Sequence, residues 1–198
     1  MARRAAAPPR LFQRQAATGW RGRRQVSQLW PLSISEQTGA SRDELRQAMR
    51  RWATGVTVVT VRCGEEVRGV TINSFTSVSL EPPLVLICID RRARTHHLIL
   101  ASQRFCVNIL GEGQQALSDR FAGRRPGEQA VFDDCSRETT PGGLPVLDGS
   151  LAWLDCRLVD THAVGDHTLF IGLVSHACCA GDGRPLLYVA GQYRQLPA

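Results

Sequence analysis

The sequence predicts a mainly β protein, an antiparallel barrel with a few peripheral α-helices. Two observations predict it. Short β-branched and apolar runs outnumber helical patterns from residue 56 onward. Between successive runs there is no regular series of crossover helices, which a parallel sheet would require.

One amphipathic helix opens the domain. Ser41 and Glu44 stand at capping-box spacing, where each satisfies an orphan backbone N–H at a helix start. Leu45, Ala48, Met49 and Trp52 then recur at i, i+3, i+4 and i+7 as one apolar stripe, and Gly55 ends it. The first strand runs over Val56–Cys63, with a turn beginning at Gly64. Val67–Ser74 follows, with Val70 and Ile72 on one face and Thr71 and Asn73 on the other. Leu84–Ile89 is a continuous apolar run, as expected of a strand covered on both faces. Further strands are predicted over Phe105–Leu110, Leu151–Val159, His167–Ser175 and Leu186–Val189. Short helices are expected near His97–Ala101 and Gln114–Ala122, and a long loop from Gly123 to Ser150.

Composition narrows the function. With 198 residues, 43% of them hydrophobic, the chain is large enough for one domain with a real core. No apolar run approaches the ~20 residues of a spanning helix, so the expectation is no membrane. The net charge of +6 at first points to nucleic acid. However, Met1–Ser35 holds seven arginines and no acid, which accounts for the whole excess. Residues 1–40 are read as a disordered Arg-rich extension, and 41–198 as a nearly neutral domain with no basic face for nucleic acid. Lysine is absent, which excludes Schiff-base chemistry. Seven cysteines without CxxC spacing give neither a disulfide framework nor a zinc site, and the expected compartment is a reducing cytoplasm.

Three segments invite a functional reading. Val70–Ser79 is a strand running into a hydroxyl-rich loop, stopped by Pro82-Pro83. It offers short donors and backbone N–H groups to a flat polar ligand, and the same composition suits an ordinary β-connection. Gly111-Glu112-Gly113-Gln114-Gln115-Ala116 imitates a dinucleotide fingerprint. Glu112 would point a carboxylate at the pyrophosphate, and no second strand follows to supply the ribose-binding acid. His96-His97 and Cys178-Cys179 are adjacent pairs; on a strand such neighbours face opposite ways and chelate poorly, so no metal is expected.

Four ordered motifs resemble one family. Thr54–Thr60, Gly69–Leu86 (through Pro82-Pro83), Phe105–Leu110 and Gly165–Gly172 are similar to the successive signatures of the flavin reductases. Arg120-Phe121-Ala122 and Pro185–Tyr188 also match in order, so the likeness spans about Ser41–Tyr193. The resemblance implies a homodimeric antiparallel split β-barrel, Greek-key-like, binding FMN or FAD and taking hydride from NADH or NADPH. It also implies diffusible reduced flavin delivered to a flavin-dependent monooxygenase. A non-catalytic flavin-binding or electron-transfer protein on the same barrel is the alternative. By resemblance, Thr71, Asn73, Ser74, Ser77 and Val78 would line the isoalloxazine and ribityl. Asp90, Arg91 and Thr95 would approach the ribityl and phosphate. Asn108 would stand beside the ring, and His167 on the nicotinamide side would be the catalytic residue. Ala93 stands where many relatives carry a hydroxyl, with Arg92 and Arg94 beside it to substitute by charge. Hydride passes directly between two cofactors, so no protein nucleophile or strong base is required.

Overall fold

The computed structural model describes residues 39–123, 132, 134–136, 138–180 and 182–196. All but the last two residues of the expected 1–40 extension, and much of the loop after Gly123, lie outside them.

Ser41 caps its helix as the spacing predicts. Its hydroxyl accepts from Glu44 N at 3.2 Å, and Glu44 Oε2 accepts from Ser41 N at 2.7 Å. That helix, α1 (Arg42–Met49), stops three residues before Trp52, and Thr54–Gly55 is already a short strand, β1. Leu45, Met49 and Trp52 all stay exposed, so the apolar stripe does not face the core. The chain continues as β2 (Thr57–Cys63), β3 (Glu66–Ile72), β4 (Phe75–Leu80) and β5 (Pro83–Asp90). Next come α2 (Arg94–Ser102), β6 (Arg104–Ile109) and α3 (Gln115–Phe121). The expected loop contains the small pair β7 (Glu138–Thr139) and β8 (Pro145–Val146). Two 13-residue strands, β9 (Ala152–Val164) and β10 (His167–Cys179), precede β11 (Leu187–Val189) and β12 (Gln192–Arg194).

Seven strands form one antiparallel sheet in the order β3-β2-β6-β9-β10-β5-β4. β3 and β4 are its two edges, yet only Asn73 and Ser74 separate them in the chain. The barrel is therefore split, with the seam at that dipeptide. The hydroxyl-rich stretch read as loop is mostly strand: an edge strand with a solvent face tolerates Ser and Thr.

Alternation sorts each strand between two cores. Val59, Val61, Val85, Ile87, Phe105, Val107 and Phe170 fill the barrel, plugged by Leu98 and Ile99 of α2. Val56, Val58, Leu110, Phe121, Leu147 and Leu186 form a second cluster on the outer face of β2 and β6. β2 is buried on both faces for this reason. β5 is not, contrary to its continuous apolar run. Val85, Ile87 and Ile89 are buried, while Leu84, Leu86 and Cys88 are only half-buried. Their cross-strand partners Leu173, Ile171 and Leu169 share that outer face and are half-buried too.

Two polar groups hold the 138–150 segment to the barrel. Asn108, fully buried, donates to Val58 O at 3.1 Å and Thr60 Oγ1 at 3.3 Å, and accepts from Leu147 N at 2.9 Å. Asp155, also fully buried, accepts from Arg104 Nη2 at 2.8 Å and Gly142 N at 2.9 Å. Burial raises the Asp155 carboxyl, but hydrogen bonds from Arg104 and Thr140 outweigh it and leave the pKa below the usual range.

Candidate functional site

The seam gathers most of the residues singled out in the sequence. Thr71, at the end of β3, donates its hydroxyl to Ser118 O at 2.7 Å. Asn73 is exposed in the crossing and lines two clefts that share it and Val56. The larger, of about 350 Å³, is walled by Trp52, Gly55, Phe75 and Ile109. The smaller, of about 140 Å³, is walled by Thr71, Ser118, Tyr188 and Tyr193. Tyr193 Oη donates to Asp119 Oδ1 at 2.9 Å and lies 2.9 Å from Ser118 Oγ, while the two tyrosine rings meet edge to face.

Across the seam, Ser74 Oγ donates to Cys88 O at 2.8 Å, which pins the crossing to β5. Asp90 lies two residues further along that strand and pairs in register with His167 of β10. Asp90 Oδ1 accepts from Arg92 N at 2.8 Å, and Oδ2 lies 2.7 Å from Arg92 Nη2. The guanidinium holds the Asp90 carboxyl well below the ordinary range. Arg91 N donates to Asp166 O at 3.0 Å, and the Arg91 side chain is exposed. His167 Nδ1 stands 2.7 Å from Asp166 Oδ1, which lowers the Asp166 pKa. The pair fixes the ring's orientation and leaves Nε2 directed away from Asp166. Ala93 provides no side-chain cap for α2; its carbonyl accepts from His96 N at 3.1 Å, and no side-chain oxygen caps the helix N–H groups before it.

The structure thus brings Asn73, Ser74, Asp90, Arg91 and His167 to one end of the split sheet, with Thr71 behind Asn73. Ser77 and Val78 lie further along β4, exposed beside a bulge between Ser77 and Ser79. Thr95 is buried in the first turn of α2. Asn108 requires a correction. Both its amide hydrogens go to Val58 O and Thr60 Oγ1, its oxygen accepts from Leu147 N, and the side chain has no exposure, so it presents nothing to a flavin ring. Parity explains this: Asn108 shares its strand face with the buried Cys106 and Leu110, beneath the 138–150 segment. Trp52, Tyr188, Tyr193 and Asp166 were not singled out as site residues. The tyrosines flanking Gly191 were the available signal.

The hydroxyls of Thr71 and Ser74 donate within the protein and keep only acceptor capacity, while Arg92 is paired with Asp90 and Arg94 with Glu66. The exposed Asn73 amide and Arg91, near a helix start without a side-chain cap, are groups that a flat polar ligand carrying a phosphate can use. Among the described residues no group of three metal-binding side chains exists, and no helix is long and apolar enough to cross a membrane.

Comparison with known proteins agrees with this chemistry. The chain is 39% identical over 155 residues to the reductase component of 4-hydroxyphenylacetate 3-monooxygenase from Thermus thermophilus, covering 78% of this chain and 97% of that one. It is 41% identical over 155 residues to an NADH-dependent flavin reductase from Rhodococcus, covering 77% and 85% of the two chains. Among solved structures, the NADH:FAD oxidoreductase SgcE6 of Streptomyces globisporus C-1027 superposes with a TM-score of 0.74 at 39% identity, over 80% of this chain and 95% of that one. Residues 49–197 match the flavin reductase like domain, and the chain belongs to that family.

Proposed function

We infer that this chain is an NADH-dependent flavin reductase that passes hydride from the nicotinamide to FMN or FAD. The reduced flavin then leaves by diffusion for a partner monooxygenase. The observation that carries the reading is the seam. On a chain matching the reductases from residue 49 to residue 197, Asn73, Ser74, Asp90, Arg91 and His167 converge where the sheet opens.

When bound, the flavin supplies the electron-accepting ring. The protein's part is positioning. Thr71, Asn73, Ser74 and the neighbouring main chain would hold the ring and ribityl, with Ser77 and Val78 along the adjoining edge. The Asp90–Arg91 turn, the N–H of Thr95 and the arginines beside Ala93 would take the ribityl and phosphate. His167, steadied by Asp166, would orient the nicotinamide. Fixing two cofactors in a reactive geometry is worth several kcal/mol without any acid–base step.

The outer face of β5 and β10 supports a homodimer. Leu84, Leu86, Leu169, Ile171 and Leu173 form a contiguous apolar strip, of the kind an isologous interface covers. The free cysteines among the described residues favour a reducing cytoplasm.

The test is steady-state oxidation of NADH and NADPH by the purified protein with free FMN and FAD, alongside sedimentation. Turnover with NADH and a dimer are expected. Inertness with both nucleotides would leave a non-catalytic flavin-binding protein, and a fully active monomer would remove the dimer.

A further inference from the structure

His96 is the one histidine that the fold takes inside. It sits in the first turn of α2 and is only 6% exposed. Its ring Nε2 lies 2.9 Å from Thr168 Oγ1, and Thr168 is itself buried. The ring packs edge-on against Phe170 and against His97. Its other nitrogen, Nδ1, is buried with no hydrogen-bond partner.

That bare nitrogen fixes the protonation state. A charged ring would bury an N–H donor with no acceptor, the costliest kind of orphan. The neutral tautomer with its proton on Nε2 avoids this, donating to Thr168 Oγ1 and leaving only a lone pair unmatched. Burial lowers the His96 pKa, as do the charges of His97 and Arg91, against a smaller opposing pull from Asp90.

The bond joins two elements that carry the proposed site. α2 follows directly from the Asp90–Ala93 turn, and Ala93 gives it no capping side chain. Thr168 is the residue next to His167, pointing inward while His167 points outward. The turn is already tied to the Asp166 carbonyl through Arg91 N on the outer side. His96 closes the same junction from beneath.

We propose that the buried His96–Thr168 hydrogen bond is a positioning device that sets His167 against the Asp90–Arg91 turn for the approach of the nicotinamide. The inference rests on the proposed role of His167. Removing the bond lets β10 and α2 shift independently at their shared end. The flavin contacts at Asn73 and Ser74, pinned separately to β5, stay in place.

A double-mutant cycle on the full chain tests this. Thr168→Val and His96→Leu each remove the bond with little change in volume, Thr168→Ser keeps the hydroxyl, and His167→Ala serves as the reference. NADH KM and kcat, flavin Kd and Tm are measured on all of them. The expected result is a loss of about 5- to 30-fold in kcat/KM for NADH in either single variant. It should come with flavin Kd within about twofold, and Thr168→Ser should stay near wild type. The double variant should lose no more than one single does, because both remove the same bond. If one variant fails to fold, the other carries the kinetic comparison against Thr168→Ser. Lower Tm with unchanged kinetic constants, while His167→Ala is impaired, would overturn the proposal and leave the role of His167 standing. A His167→Ala protein with wild-type constants for both cofactors would overturn both.

Discussion

Two polar clusters on the same sheet differ in how much of their hydrogen-bonding capacity the protein itself uses. Around Asn108 and Asp155, side chains with no exposure bond to β2, the Gly142 turn, Leu147 and the Arg104 guanidinium, all inside the protein. Around Asp90 and His167, ion pairs are short but stand at the surface, and the His167 ring turns a nitrogen outward. The contrast teaches how to sort polar residues in a barrel. Where the fold consumes every donor and acceptor, the residue is architecture. Where it fixes an orientation and leaves a group open, the residue is available for chemistry.

The sharpest way to break this division is to attack its architectural half. Asp155→Ala would strand the Arg104 guanidinium and the Gly142 N–H. We expect a loss of about 3 kcal/mol, reduced from a deep ion pair because Arg104 keeps an edge in solvent. In a domain of this size that is roughly 6–12 °C in Tm. Asn108→Ala should cost about 2–3 kcal/mol through the unpaired Leu147 N–H. Kinetic constants of the surviving folded protein should match wild type in both variants. A selective loss of flavin binding in Asn108→Ala would restore the ring-side role and dissolve the comparison.

The other half is probed by His167→Ala, measured by NADH kinetics, flavin titration and melting. Removing one positioning contact should cost on the order of 1–3 kcal/mol in kcat/KM for NADH, roughly 5- to 150-fold. Flavin Kd should move less than a few-fold and Tm only slightly, since the side chain is half in solvent and its partner Asp166 is exposed. Wild-type constants for both cofactors would sink the assignment.

Asp155 and the buried His96, which lies beneath the Asp90–His167 end, also separate by pH. The Asp155 pKa is depressed in the fold, so its stabilisation is complete above the unfolded value near 4 and is lost as pH falls below that. The His96 pKa is depressed as well, but for a base the sign of the charge differs. The unfolded chain takes up the proton first, so stability falls as pH drops below about 6.5. Melting curves from pH 7 to pH 5 should therefore show a decline in wild type that His96→Leu lacks. A decline of equal size in both would remove His96 as its source.

How much of this was legible in the sequence follows from the same physics. β2, β6, β9 and β10 were visible as β-branched or alternating runs, and the capping box of α1 was visible from spacing alone. β4 was not, because an edge strand with one wet face has the composition of a turn. β5 misled in the opposite direction: its unbroken apolar run reads as burial on both faces, but Leu84, Leu86 and Cys88 on one face are only half-buried. The stripe of α1 misled in the same way, since amphipathicity does not say what covers it. Within the site, the short motifs singled out Asp90 and His167, which pair in register, and Ser74, whose hydroxyl reaches Cys88 O on the same strand as Asp90. They failed at Asn108, because period 2 assigns a residue to a face without showing that a distant loop buries that face.

The smallest expected effect concerns the first residues of the chain. Residues 1–35 hold seven arginines and no acid, whereas the rest is close to neutral. We propose that the enzyme is complete from Ser41 onward and that the preceding residues contribute charge alone. The family match begins at residue 49, and the helix containing that residue carries its own N-cap at Ser41. A chain beginning at Ser35 should then fold with an unchanged Tm and keep kcat/KM for NADH within about twofold, well under 1 kcal/mol. What should change is attraction to polyanions. The full chain should be held on an anionic resin at low salt and released as salt screens the arginines, while the shortened one passes through. Solubility should fall as well, because removing the excess charge brings the protein close to neutrality. Loss of most activity on truncation would place those residues in the working enzyme, and the boundary at residue 40 would have to move.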